Sequence, residues 1–330
     1  MKFDYSRNEP LFALLTTRFR LYLTEERVDK LFYDIPMLGG DTLLVSNPTK
    51  DHKTIILVSL KAIYFDKLQN FGLLKHLQTV YSGYVSKEVV DGYVFTLEID
   101  LTKLPKDPKE YEALADHIAR IRKECFAPII NHYFDLQVKY EKEGGEAENY
   151  AIFDVMKNSK MIIDAKADRV TMVFAMTFDN ELDVVLAKLF LDEFTRQTVT
   201  GSTFRVRGCF KELPDELKEK KITMEISNNV GYFVVVCRPR HNRESARGLA
   251  LDLLLSITEF MCSHIDLIKV KTHRAWRQTV GKFVKSVARA RPNFADDSGE
   301  SSFSVKPMFN FAPGVKFGEE DDDSGAVYLQ

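Results

Sequence analysis

Residues 229–292 read NVGYFVVVCRPRHNRESARGLALDLLLSITEFMCSHIDLIKVKTHRAWRQTVGKFVKSVARARP, and the way this stretch is built decides the kind of chain it belongs to. A glycine-started apolar run, Val230 to Cys237, reads as a strand, and the basic turn Arg238-Pro239-Arg240-His241 ends it. From Glu244 to Arg289 no proline interrupts a helical pattern. At a 1.5 Å rise such a helix spans roughly 70 Å, whereas a module of the size left to it should be only about 40 Å across. Part of the helix must therefore lie against something else, which puts assembly ahead of catalysis.

The helix changes character along its length. Leu249, Leu251, Leu253, Leu254, Leu255, Ile257, Phe260 and Met261 are apolar on nearly every face, which predicts cover on more than one side: the chain's own sheet and a partner. Between Leu267 and Pro292 the charge is one-sided. Lys269, Lys271, Arg274, Arg277, Lys282, Lys285, Arg289 and Arg291 meet no Asp or Glu, and Val270, Trp276, Val280, Phe283, Val284 and Val287 lie among them. Like charges one turn apart repel, so a polyanionic partner is the natural compensation. Nucleic acid, an anionic membrane surface and an acidic protein polymer all qualify on charge alone.

The whole chain has 330 residues, about two domains' worth, and 45% apolar with 12% aromatic residues supplies ample core. Its net charge of −2 hides an asymmetry: residues 293–330 hold eight acids against two lysines, a net −6, so residues 1–292 carry +4. That tail, dominated by Ser, Gly, Asp and Glu, is expected to be disordered and solubilising, and its charge complements the basic helix. The N-terminus, with Lys2, Asp4, Arg7 and Glu9, does not read as a signal peptide, and no apolar run is long enough to span a bilayer. Cys125, Cys209, Cys237 and Cys262 stand singly in apolar contexts, as core residues of a reducing compartment do. A soluble, cytoplasmic protein is expected.

Periodicity gives the same order of elements twice, an α+β architecture of two related modules. Each is predicted as a helix, three antiparallel strands, a helix, two strands and a long helix. In the first module Asn8-Glu9-Pro10 opens a helix, strands follow at 27–35, 42–46 and 54–60, a helix at 61–81, strands at 83–89 and 92–101, and a long helix from 109 to 142. In the second, strands at 150–156, 161–164 and 169–178 lead to a helix at 180–196, then strands at 222–227 and 230–237 and the final helix. Asp91-Gly92-Tyr93-Val94-Phe95 and Val230-Gly231-Tyr232-Phe233-Val234 fall at equivalent places. Pro128 is predicted to break or kink the 109–142 helix. The expected domains are therefore 1–125, 126–292 and the acidic tail 293–330.

Catalytic motifs are missing from this sequence. There is no phosphate-binding glycine loop, nucleophile elbow, H-E-x-x-H or C-x-x-C. Cys262 and His264 point to different helix faces, and Cys237 with His241 reads as a buried thiol beside a solvated turn histidine. Asp179 and Asp183 sit where carboxylates cap a helix. Trp276, the one tryptophan, reads as core or as an interface anchor amid its cations. No cofactor, metal or enzymatic activity is expected.

Several motifs in order, Ser46-Asn47-Pro48, Ser59-Leu60-Lys61, Asp168-Arg169-Val170-Thr171 with Val173-Phe174, Asp183-Val184-Val185, Asn229-Val230-Gly231-Tyr232, Arg238-Pro239-Arg240-His241, Ser245-Ala246-Arg247 and Arg289-Ala290-Arg291-Pro292, resemble the p34-Arc family, the large structural subunit of the actin-related protein 2/3 complex. The likeness runs from about residue 42 to 292 and is weak before residue 40, and the tail is longer and more acidic than the family leads one to expect. The resemblance implies a non-enzymatic actin-nucleation scaffold. It implies pairing through long C-terminal helices with a p20-type subunit, contact with both actin-related subunits, and binding to the side of an actin filament so that a branch can grow. Nucleic-acid binding and stable membrane insertion are not implied. Lys285, Arg289 and Arg291 match the family's filament-facing end, and Lys282, Arg274 and Arg277 follow as residues of the same helix. Leu253, Leu254, Ile257, Phe260, Met261 and Trp276 are the expected partner-subunit contacts. The alternative is a peripheral membrane or phosphoinositide-binding module using the same basic helix.

Overall fold

The computed structural model describes residues 7–24, 29–37, 40–48, 54–144, 150–198 and 205–289. The expected tail, 293–330, lies outside the described residues. The chain divides into a first unit, residues 1–274, which holds both sheets, and a second, residues 275–330. The fold is α+β.

Helix α1 (Glu9–Leu23) starts where expected: Asn8 caps it by accepting from the Leu11 amide at 2.9 Å, and Leu11, Leu15 and Phe19 form its buried stripe. Strands β1 (Phe32–Pro36), β2 (Thr42–Ser46), β3 (Ile55–Lys61) and β4 (Phe95–Asp100) form an antiparallel sheet in that order. Its register aligns Leu43, Leu60 and Phe95 in one row and Val45, Val58 and Leu97 in the next. Both rows face the core, as period-two alternation demands. On the other face the Ser59 and Thr96 hydroxyls, side by side, share a hydrogen bond at 3.0 Å.

Between β3 and β4 the chain forms two short helices, α2 (Phe65–Gln69) and α3 (Leu73–Val80), rather than the single helix expected over 61–81. Gly72 separates them at φ +78°, a left-handed conformation that favours glycine. The strand expected at 83–89 is reduced to one bridge, Val85 to Leu97. After β4 come α4 (Pro108–Ala119), capped by Asp107, and α5 (Ile121–Glu143). The interruption in the expected 109–142 helix falls at Arg120, and α5 runs on through Pro128. Ala127, Ile129 and Ile130 are buried around this proline, so packing outweighs the lost backbone bond.

The second sheet is built from β5 (Tyr150–Met156), β6 (Ser159–Lys166), β7 (Arg169–Thr177), β8 (Arg205–Phe210) and β9 (Val230–Cys237), all antiparallel in the order β5-β6-β7-β9-β8. Helix α6 (Glu181–Thr198) follows β7, α7 (Asp215–Glu219) follows β8, and α8 (Glu244–Arg289) closes the described chain. Phe153, Met161, Phe174 and Phe233 line up across the inner face, with Phe174 and Phe233 stacked at 4.8 Å. The outer face, carrying Ile162, Val173 and Val234, is covered by Leu217 and Ile222.

That cover explains a further correction. The period-two pattern at 222–227 forms no strand, because Ile222 lies over the sheet as a lid residue. The true edge strand is β8, whose inward face carries Val206, Gly208 and Phe210, so a glycine breaks the apolar alternation that marks a strand in sequence. In both sheets an antiparallel meander is followed by a helix and by a strand that pairs back on the third. Val85 bridges β4 as β8 pairs with β9.

Helix α5 joins the layers of the first unit. Its Phe126 lies 4.5 Å from Tyr64 and 6.2 Å from Phe153, ring centre to ring centre, so one continuous core runs beneath both sheets.

Candidate assembly surface

The turn Pro239–Asn242 delivers α8 onto α5 by a set of polar clamps. Buried Asn242 donates to the Phe134 carbonyl at 2.6 Å and to Gln137 Oε1 at 2.7 Å. Arg247 then pairs with Asp135 at 2.6 Å, Lys123 with Asp252 at 2.6 Å, and Arg122 with Glu259. One turn past the core contacts, Lys269 reaches Asp183 of α6 at 2.6 Å. Asp183 is thus more than the cap expected from its position. Asn180 does the capping, its Oδ1 accepting from the Asp183 amide at 3.0 Å, and the Asp183 carboxylate is freed for Lys269.

Between the clamps Leu251, Leu254, Leu255, Ile257, Met261 and Ile265 are buried in the chain's own core. Of the expected partner contacts, Leu254, Ile257 and Met261 are only 1%, 4% and 1% exposed, being packed in the first unit's core. The all-round apolar pattern arose because two neighbours of the same chain, α5 and the second sheet, enclose this segment. The side chain of Leu253 lies outside the described residues. Phe260, 40% exposed, packs against Phe190 and His264, and Trp276 is 68% exposed.

In the second unit α8 is exposed at every position from 275 to 287. At about 100° per residue, Trp276, Val280, Phe283 and Val287 fall on one narrow stripe at spacings of four, three and four, the seam of a helix that pairs with another helix. Lys282 and Lys285 fall on the opposite face, and Arg277 lies between the two. All three cations are exposed, and among the described residues none has an ion pair. Arg274, the last residue of the first unit, is exposed too. The side chain of Arg289, and all of Arg291, lie outside the described residues.

One apolar surface escaped the sequence reading. On α6, where Leu182, Val185, Leu186, Leu189 and Phe190 recur at helical spacing, Leu182, Val185 and Leu189 are exposed by 59%, 53% and 60%. Ala187 and Leu191 face the sheet instead. Too many apolar residues at both helical spacings hid which stripe points in; only the surplus itself was a signal.

Among the described residues no group of three His, Cys, Asp or Glu is placed to hold a metal. Burial pushes the Cys125 and Cys237 thiols up and that of Cys262 to about 11, so none is a ready nucleophile. His241 is buried, contrary to the solvated turn residue expected, and burial with the charges of Arg240 and Arg238 lowers its pKa. A cavity of about 230 Å³ beside Cys262 is lined by the already paired Asp183 and Lys269. Among the described residues no helix is long and apolar enough to cross a membrane.

A helix with an apolar seam and a separate cationic face, both exposed, has the surfaces of an assembly protein. The family described as Arp2/3 complex, 34 kD subunit p34-Arc, matches residues 58–294. The chain belongs to this family, and is thereby a structural subunit of the Arp2/3 complex, in the setting of cytoskeletal actin nucleation. The actin-related protein 2/3 complex subunit 2 of Schizosaccharomyces pombe is 26% identical to it over 309 residues, 89% of this chain and 95% of the relative. That of Dictyostelium discoideum is 24% identical over 271 residues, 81% of this chain and 87% of the relative.

Proposed function

We propose that this chain forms the core of the complex with a p20-type subunit, supports both actin-related subunits, and contacts the side of the mother filament in the cytoplasm while a branch is nucleated. The observation that carries this reading is the separation of surfaces on α8: an apolar seam through Trp276 and Phe283, and cations Lys282 and Lys285 opposite. A seam and a charged face on one helix serve two partners at once. The partner subunit takes Phe260, Trp276 and the seam. The filament takes Arg274, Arg277, Lys282, Lys285, Arg289 and Arg291. Two related modules, 1–125 and 126–292, precede the tail 293–330, and the repeated order of meander, helix and returning strand supports that division.

Exposed single charges contribute well under about 1 kcal/mol each, but several aimed at one acidic polymer add in affinity and encounter rate. Reversing Lys282→Glu together with Lys285→Glu should lower branch formation by the assembled complex severalfold, leave its assembly intact, and mimic the effect of raised salt on the wild type. Unchanged branching by the intact double variant would place the filament contact elsewhere.

The same two-faced helix favours a second reading, an interfacial helix on an anionic membrane. Liposome flotation of the purified complex separates the two. Binding to anionic vesicles that the double reversal abolishes, with filament binding unaffected, would select the membrane.

A further inference from the structure

We propose that the acidic run Glu319-Glu320-Asp321-Asp322-Asp323 of this chain docks on the cationic face of its own α8, so that the tail competes with the acidic partner for that face. The inference rests on the cationic face being a binding surface for an anionic partner, as proposed above.

The surface needs an occupant on physical grounds. Arg277, Lys282 and Lys285 are exposed and have no ion pair among the described residues, and no acid occurs from 267 to 292 to neutralise them. The α8 cations that reach the first unit's other elements have their carboxylates: Arg247 has Asp135 and Lys269 has Asp183. The chain itself then supplies the missing charge. Residues 277–291 hold five cations and residues 319–323 hold five consecutive acids, in a tail of net −6.

Reach is no obstacle. Twenty-nine residues separate Arg289 from Glu319, enough to extend up to about 100 Å, whereas the face from Arg277 to Arg289 is only about 20 Å long. A tethered acid run works at an effective concentration in the millimolar range. Even a weak contact is therefore occupied for a large part of the time. Occupancy lowers the apparent affinity for any competing anion by the fraction left open, roughly two- to fivefold for a contact of about millimolar strength. Because the contact is electrostatic it fades as salt screens it, and so does the competition.

The test uses the assembled complex with three versions of this chain: complete, ending at Pro292, and carrying Glu319→Gln, Glu320→Gln, Asp321→Asn, Asp322→Asn and Asp323→Asn. Carbodiimide cross-linking without filaments, mapped by mass spectrometry, should join residues 319–323 to Lys282 or Lys285 in the complete chain only. Filament co-sedimentation at low salt should show both altered complexes binding two- to fivefold more tightly than the complete one, with the difference lost at high salt. Absence of those cross-links, or equal filament affinity of all three when Lys282→Glu with Lys285→Glu does weaken binding, overturns the proposal. Cross-links in a complex whose filament binding ignores the lysine reversal support the docked tail and overturn the filament reading instead.

Discussion

At the scale of single residues, two positions show how the interior sets terms that the surface does not. Asp41 is fully buried, with the Ile63 amide donating to it at 3.3 Å. Burial raises its pKa from 3.8 to about 6, against the pull of the Arg122 charge. A raised folded-state value favours folding where the group is protonated. The contribution is complete below pH 3.8 and is lost as pH rises through about 6. It amounts to no more than about 3 kcal/mol. Asp41→Asn should therefore flatten the rise in stability between neutral pH and pH 4, measured by denaturant midpoints across that window; an unchanged slope would assign the slope to other groups. Gly231 lies in β9 where an added Cβ would come 2.6 Å from the Phe210 ring and 3.1 Å from that of Phe178. Gly231→Ala should cost about 1–3 kcal/mol by overpacking, and less in a Phe210→Leu background, which thermal denaturation of the single and double variants will show.

At the scale of elements, α8 is held by charge pairs on a helix that hydrophobicity alone would leave free to slide. The Arg122–Glu259 pair is the most enclosed, both side chains being 11% exposed. Removing one member leaves the other buried and unpaired, so Glu259→Gln or Arg122→Met should cost up to about 3–5 kcal/mol. The double replacement Arg122→Met with Glu259→Leu should recover most of that loss, since a well-packed apolar pair avoids the desolvation cost of two ions. Failure of the double variant to recover would mean that the pair sets the register of α8 on α5 and does not merely fill space.

At the scale of the whole molecule, the first unit covers its own apolar helix segment, and Trp276 and Phe283, with Leu182, Val185 and Leu189, are among the exposed apolar residues. Trp276 is the only tryptophan, so its fluorescence reports directly on the proposed seam. Emission of the isolated chain should resemble that of solvated indole and shift to the blue on addition of a p20-type subunit. Trp276→Phe with Phe283→Ser should weaken pairing by tenfold or more, as loss of two central anchors does, without lowering the melting temperature of the isolated chain, because neither side chain belongs to its core. A fall in melting temperature would show that the seam packs within the chain.

Taken alone, the sequence determined the final helix, Glu244–Arg289, and the strand before it, Val230–Cys237, because uninterrupted periodicity and a proline-containing turn leave little choice. It determined the one-sided charge after Leu267, the missing catalytic motifs and the family, which are properties of residue order. What it could not determine is which apolar stripe faces inward when a helix carries two. Leu254, Ile257 and Met261 are core, whereas Leu182, Val185 and Leu189, on a helix of equally apolar periodicity, are exposed. Edge strand β8, the uninterrupted passage of α5 through Pro128 and the buried pair of Arg122 with Glu259 were likewise decided in three dimensions. Each depends on neighbours distant in sequence, whose packing energy overrides local preference by more than the local preference is worth.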